Sequence, residues 1–420
     1  MKKIFLMFSV LVCMLTSCSL DDNDDKPTAD GIKILENYAL EITDNIPLMT
    51  YQEAEDFIHN HPEYVNSLGG CSAFTKQLPN GDRIVGRNMD LTLTNSPVYV
   101  YHIKGKYKAT GVCYPAQNMP TFHQVITTGL TNEQRNIIPW IMPNDIMNET
   151  GFFIEENMRP EEMTKDNKRL HQTGHTNPGK PALFLSQIPA FLATQCSSVK
   201  EALELLETVD IYSEINGKDI WNIGFMMADA SGEYGIVEVA DGKIYYTKSD
   251  INVNHFVAPK LADGSRWGIG WGREDYIRNS MQYVEDVNDA QGLMYRIRYS
   301  QYYESLVTMT VLEPIDWRGE MVCQLPVTDD GKFDVEKGIK YNCTKEWIFN
   351  NAPEHIQMLK DVGYGYILAQ HPYSSWQDIR DGKDANFWVT IYSIVANCNK
   401  CSLKVRFYED RNVDFNYVVK

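Results

Sequence analysis

Two glycines followed by a cysteine, Gly69-Gly70-Cys71-Ser72-Ala73-Phe74, constrain this chain more than any other stretch, because Gly86-Arg87-Asn88-Met89-Asp90 follows within reach of a single turn. Between the two lies Leu78-Pro79-Asn80-Gly81-Asp82. Asn-Gly flanked by Phe74, Ile84 and Val85 is a strong hairpin signal, so residues 71–77 and 83–90 are predicted to pair as antiparallel strands. Arg87 and Asp90 stand 16 and 19 residues after Cys71. The hairpin folds both back beside it, so a local pattern alone makes neighbours of a nucleophile, a cation and a carboxylate. A buried core cysteine with an Arg–Asp surface pair reads the same way locally. The flanking glycines and the later parts of the chain weigh against that reading.

Taken together, these residues resemble the choloylglycine hydrolase family, which holds bile salt hydrolases, penicillin V acylases and, more distantly, acid ceramidase-type amidases. In that family the cysteine becomes the chain's N-terminus by self-cleavage, and an arginine and an aspartate follow at the same two offsets. The resemblance implies an α+β fold, the four-layer αββα sandwich of N-terminal nucleophile hydrolases, with cleavage between Gly70 and Cys71. Three further residues carry over. Met147-Asn148-Glu149-Thr150-Gly151 resembles the family's Met-Asn-Glu-x-Gly stretch, which assigns an oxyanion role to Asn148; without the resemblance, a turn-capping asparagine is favoured there. Asn254, in Val253-Asn254-His255-Phe256, takes the second oxyanion-side role, and Arg273, at the head of a predicted helix, matches an active-site arginine. Arg273 follows Asn254 by only 19 residues, where bile salt hydrolases carry a longer insertion that helps build their tetramer. His255 reads as a structural histidine beside a strand.

The chemistry implied is nucleophilic catalysis without a histidine. A free α-amine titrates at about 7.7–8.0, so the amine of a newly terminal Cys71 can act as general base near neutral pH. Arg87 favours the thiolate, which is the reactive form. Asp90 holds amine and thiol in register. No metal or organic cofactor is implied, and the scattered cysteines show no repeated C-x-x-C pair that would mark a zinc cluster. Cys398-Asn399-Lys400-Cys401 sits at a predicted hairpin turn and reads as structural, either a local disulfide or two free thiols.

The N-terminus has the texture of an export signal: Lys2-Lys3, an apolar run from Ile4 to Leu15, then Leu15-Thr16-Ser17-Cys18. It resembles a bacterial lipoprotein signal of residues 1–17, with Cys18 as the lipidated residue and 18–30 as an acidic tether. Residues 31–70 are predicted to be a helical propeptide and 71–420 the catalytic domain. The expected location is the bacterial cell envelope, with the membrane touched only through lipid on Cys18. A net charge of −17 argues against nucleic acid as a partner, because phosphate binding needs basic patches. The implied partner is a small amide with an apolar acyl part, such as a conjugated bile salt or an N-acyl amide; homo-oligomerisation is left open. Two other readings share the scaffold: an acyltransferase, and a non-catalytic ligand-binding surface lipoprotein.

Overall fold

The computed structural model describes residues 31–36, 39–62, 69–92, 95–115, 119–140, 144–159, 171–219, 222–260, 271–304, 312–314, 321–325, 339–342, 388–407 and 413–420. The first strands are β1 (Ile32–Glu36), β2 (Ala39–Pro47), β3 (Gly69–Gln77), β4 (Arg83–Thr92), β5 (Val98–Lys104), β6 (Lys108–Cys113), β7 (Asn144–Asn148) and β8 (Phe153–Arg159). Two small pairs follow, β9 (Ala182–Phe184) with β10 (Asp210–Tyr212) and β11 (Glu214–Ile215) with β12 (Lys218–Asp219). Next come β13 (Asn222–Ala228), β14 (Tyr234–Ala240), β15 (Lys243–Thr247) and β16 (Ile251–Asn252). A three-stranded sheet of β17 (Leu312–Pro314), β18 (Met321–Leu325) and β19 (Ile339–Asn342) precedes the last strands, β20 (Trp388–Asn397), β21 (Ser402–Phe407) and β22 (Phe415–Val418).

Two large sheets organise the molecule. One has nine strands in the order β1-β2-β5-β6-β7-β8-β13-β14-β15, and the other six, β16-β3-β4-β20-β21-β22. They pack face to face: Cys71, Ala73, Val85 and Met89 of the smaller sheet share one apolar cluster with Val100, Val112, Met147 and Met226 of the larger. The outer face of the nine-stranded sheet, with Tyr101, Ile146 and Ile154, is covered by helices that include α1 (Tyr51–Asn60), α4 (Ile188–Gln195) and α5 (Val199–Leu206). The outer face of the six-stranded sheet, with Phe74, Ile84 and Val395, is covered by α6 (Trp271–Ser280) and α7 (Val287–Glu304). Two short helices, α2 (Phe122–Thr128) and α3 (Asn132–Ile137), follow β6. Helix, sheet, sheet, helix is the αββα sandwich, and adjacent strand positions serve different layers because side chains alternate across a strand.

The strongest departure from expectation lies at the start. Residues 32–36 and 39–47 are not helical: they form β1 and β2, and among the described residues before β3 the helix is α1, capped by Thr50 and Glu53 in a capping box. β2 runs parallel to β5, and β1, paired with β2, closes that end of the large sheet. Its side chains obey the strand period, with Leu40 and Ile42 entering the helix-side core and Ala39 the inter-sheet core. Apolar residues at 32, 34, 35, 39, 40 and 42 fit a helical face almost as well, and the pairing that decides between them is with a strand far along the chain. Residues 1–30, with the expected signal, Cys18 and tether, lie outside the described residues.

Candidate active site

The hairpin forms as its sequence dictates. β3 and β4 pair antiparallel, and the Leu78–Asp82 turn is closed by Leu78 N–H to Asp82 O at 2.8 Å, with Gly81 at φ +90°. The register sets Cys71 opposite Met89, Gly70 opposite Asp90 and Ala73 opposite Arg87. The Gly70–Cys71 peptide therefore lies directly across from the Met89–Asp90 peptide. Cys71 is 2% exposed and faces the other sheet, its sulfur 3.8 Å from that of Met89. Burial pushes its thiol up to about 11 in this unbroken chain; Arg87 pulls the other way, and Asp90 and Asp145 add to the rise.

Arg87 is wholly buried. Its Nε lies 3.1 Å from Asp145 Oδ1 and 3.0 Å from Glu155 Oε2, and another guanidinium nitrogen donates to the Glu156 carbonyl at 2.8 Å. Burial raises both carboxyls, that of Glu155 to about 7, against the opposing pull of Arg87. Asp90 is 3% exposed, and its Oδ1 accepts from the Thr390 hydroxyl across the β4–β20 pair.

Asn254 and Arg273 close on Cys71 from the other side. β16 pairs with β3, Asn252 opposite Ala73, so two residues further on Asn254 comes level with Cys71. Asn254 Oδ1 accepts the Cys71 N–H at 2.8 Å and a guanidinium nitrogen of Arg273 at 2.9 Å, while Asn254 Nδ2 donates to Met158 O at 2.7 Å. The other end of the Arg273 guanidinium donates to Cys71 O at 2.6 Å and to Ser72 Oγ at 2.9 Å. The main chain of Cys71 is thus held at both its N–H and its C=O by two buried side chains. His255, next in sequence, is tied to Glu274 at 2.6 Å.

Asn148 is not among these residues, which corrects its assignment to the oxyanion. Along β7, Met147 faces the inter-sheet core, so Asn148 turns to the helix side with Ile146. There Nδ2 donates to the carbonyls of Ala193 and Cys196 at 2.9 and 2.7 Å, and Oδ1 accepts from Thr150 N, Thr150 Oγ1 and Phe152 N. Its amide group is spent on carbonyls at the end of α4, and its oxygen caps the turn after β7.

Residues that the sequence reading did not single out complete the site: Asp145, Glu155, Asn252 and Thr390. For Glu155 a signal was present. Glu155, Asn157 and Arg159 alternate along β8, so three polar side chains share the face that meets the hairpin, in a strand too buried for solvent to explain them. Cys398 and Cys401 are free thiols in one turn, with Cys401 N–H donating to Cys398 O at 3.3 Å.

Comparison with known proteins follows the same lines. Residues 71–255 match the linear amide C-N hydrolases, choloylglycine hydrolase family. Among solved structures, a mutant of the conjugated bile acid hydrolase from Clostridium perfringens aligns with 83% of this chain and 92% of its own, at 14% identity and a TM-score of 0.39. A second variant of that hydrolase aligns over the same shares at 13% identity and a TM-score of 0.39. A comparison with curated sequences returned no match. Residues 71–255 are thus similar to the choloylglycine hydrolase family, and the chain is a hydrolase acting on linear amide C–N bonds.

Proposed function

We propose that the chain is a self-processing cysteine amidase in which Cys71 cuts the peptide before it, becomes an N-terminal nucleophile, and hydrolyses linear amides with an apolar acyl group, such as conjugated bile salts or N-acyl amides, through a Cys71 thioester. The observation that carries this reading is the double grip on the Cys71 backbone by Asn254 and Arg273. A nucleophile whose own nitrogen is to serve as base needs that nitrogen held in place, and a buried Asn Oδ1 at 2.8 Å does so.

In the first step the Cys71 sulfur bonds to the Gly70 carbonyl carbon and the C–N bond to Cys71 breaks, its nitrogen taking the proton. Gly70 has no Cβ to obstruct the strained intermediate. Water then splits the thioester, leaving a Gly70 carboxylate and a Cys71 with free amine and thiol. In turnover the amine takes the thiol proton, the thiolate attacks the substrate carbonyl carbon, and the proton passes to the departing nitrogen. Water releases the acyl group. Before the cut the thiol stands at about 11 and thiolate is scarce at neutral pH; afterwards a base of ordinary pKa about 7.7–8.0 lies on the same residue. With Asn148 committed elsewhere, and with Asn254 turning its oxygen to the Cys71 N–H and its amide to Met158 O, the Arg273 guanidinium at Cys71 is the donor assigned to the oxyanion, and loss of one such donor costs about 3–4 kcal/mol.

Lipidation of Cys18 and anchoring to the cell envelope belong to the same proposal and rest on the Leu15-Thr16-Ser17-Cys18 stretch. Labelled palmitate incorporated by wild type and not by Cys18→Ser tests them.

Intact mass and N-terminal sequencing of folded protein, wild type beside Cys71→Ala, test the central claim. A chain beginning at Cys71 in wild type only is the expected result. An uncut wild type removes the amine on which the mechanism depends.

A further inference from the structure

Four polar residues outside the reacting group hold the segment that carries Asn254. Glu155, Asn157 and Arg159 project from one face of β8, and each reaches β16 or the residues after it. Glu155 Oε1 accepts from Asn252 Nδ2 at 2.7 Å, and Asn157 Nδ2 donates to Asn252 O at 2.6 Å. Arg159 donates to Asn252 Oδ1 at 2.8 Å and to the Val253 carbonyl. Its guanidinium then spans β13 to meet Glu238 of β14 at 2.9 Å. Glu238 in turn accepts the N–H of Val257 at 2.9 Å and of Ala258 at 2.8 Å.

The crossing is possible because residue 224, cross-strand neighbour of both Asn157 and Glu238, is glycine. A Cβ at 224 would overlap the Arg159 guanidinium. Arg159 and Glu238 are both buried, and burying such a pair is not in itself a route to stability, since desolvation offsets much of the attraction. What this pair does achieve is geometric. It grips residues 252–253 from one side and 257–258 from the other, and Asn254 lies between them, its Oδ1 on the Cys71 N–H.

We propose that Arg159 and Glu238, with Gly224 as the gap between them, are positioning residues for the nucleophile: they fix the 252–258 segment so that Asn254 meets Cys71. The proposal rests on the reading of Cys71 and Asn254 as the reacting site. Neither Arg159 nor Glu238 touches a reacting atom; both act through Asn254.

The test uses full-length protein and two probes, glycocholate and N-lauroylglycine, followed by glycine release, with processing followed by intact mass. Variants are Arg159→Met, Arg159→Lys, Glu238→Gln, Gly224→Ala, Asn254→Ala and the double Arg159→Met/Asn254→Ala. The charge-neutral pair Arg159→Met/Glu238→Gln is included because a lone buried Glu238 can prevent folding. Misplacement by about 1 Å can cost on the order of 10²-fold in rate. Arg159→Met and Gly224→Ala are expected to lower kcat about 10²-fold with KM within about 3-fold of wild type, and Arg159→Lys to recover part of the loss. In the Asn254→Ala background, Arg159→Met is expected to add less than 3-fold, because sites that act through one another are not additive.

Full multiplication of the two single losses overturns the proposal, as does wild-type kcat in the folded charge-neutral pair and in Gly224→Ala. An active wild type with an equally active Asn254→Ala sinks the site reading instead, whatever Arg159 does. A wild type that neither cuts itself nor releases glycine removes both.

Discussion

Arg87 faces more carboxylate than one guanidinium can neutralise. Asp145 and Glu155 both approach its Nε, both are fully buried, and burial raises both, Glu155 to about 7. The sign follows from linkage. A carboxyl whose folded pKa exceeds its ordinary value of about 4.3 binds more protons in the native state across that window, so stability falls as pH rises from about 4.3 to about 7 and levels off outside it. Glu155→Gln keeps the shape and the acceptor for Asn252 but cannot titrate. Thermal unfolding of the wild type is expected to shift downward from pH 5 to pH 8, and that of Glu155→Gln to shift less. Parallel curves for the two proteins reject the assignment. Arg87→Leu is the converse case, since it leaves two buried carboxyls without their cation. A loss of about 3–5 kcal/mol is expected, read from urea midpoints in the uncut Cys71→Ala background, and a smaller one when Glu155→Gln is also present.

At the scale of single elements, parity along a strand decides what a motif can do. Asn148 fits the family's stretch residue by residue, yet on β7 the neighbour Met147 takes the inter-sheet side and sends Asn148 to the helix layer. Asn148→Ala strands the carbonyls of Ala193 and Cys196 together with the N–H groups of Thr150 and Phe152. At about 1–3 kcal/mol for each buried group left unpaired, a loss of at least about 3 kcal/mol in urea unfolding is expected. Its kcat per folded, processed molecule is expected to stay within about 3-fold of wild type; an oxyanion donor would instead cost about 10²–10³-fold. The β3–β4 hairpin was legible because all its information is local: two apolar runs, an Asn-Gly turn and a fixed register. The β13–β15 meander, with Ser231-Gly232 and Asp241-Gly242 at its turns, and the Ser198 cap of α5 rest on equally local signals. The face of Asn148 was not, because it depends on which side of β7 the second sheet covers. Glu155, Asn157 and Arg159 stood in alternation within one strand, but only a structure with β16 and β14 against them says what they hold.

Across the whole molecule, the least legible segment carries the largest consequence for the form that the proposed processing would give the enzyme. A helical propeptide could leave after the cut, but residues 32–60 are built into the sandwich. β2 pairs with β5 from Ala39↔Val98 to Pro47↔Lys104, and β1 pairs in turn with β2. Ile32, Leu40, Ile42 and Ile46 then enter the helix-side core with Ala54, Phe57 and Ile58 of α1, while Leu35 and Ala39 enter the inter-sheet core. Each large apolar side chain among these contributes about 1.5–3 kcal/mol by burial. Release would also strip β5 of its neighbour and open a line of unpaired backbone groups. The proposed break before Cys71 would sever a peptide bond within β3 but none of the contacts of β1, β2 or α1. The processed protein is therefore expected to be a two-chain enzyme. Native gel filtration should elute the fragment ending at Gly70 together with the chain beginning at Cys71, and 6 M guanidinium should separate them. Under native conditions, a lone Cys71 chain that keeps its amidase activity would show that the segment is a dispensable leader; co-elution with activity lost on separation makes it a structural subunit.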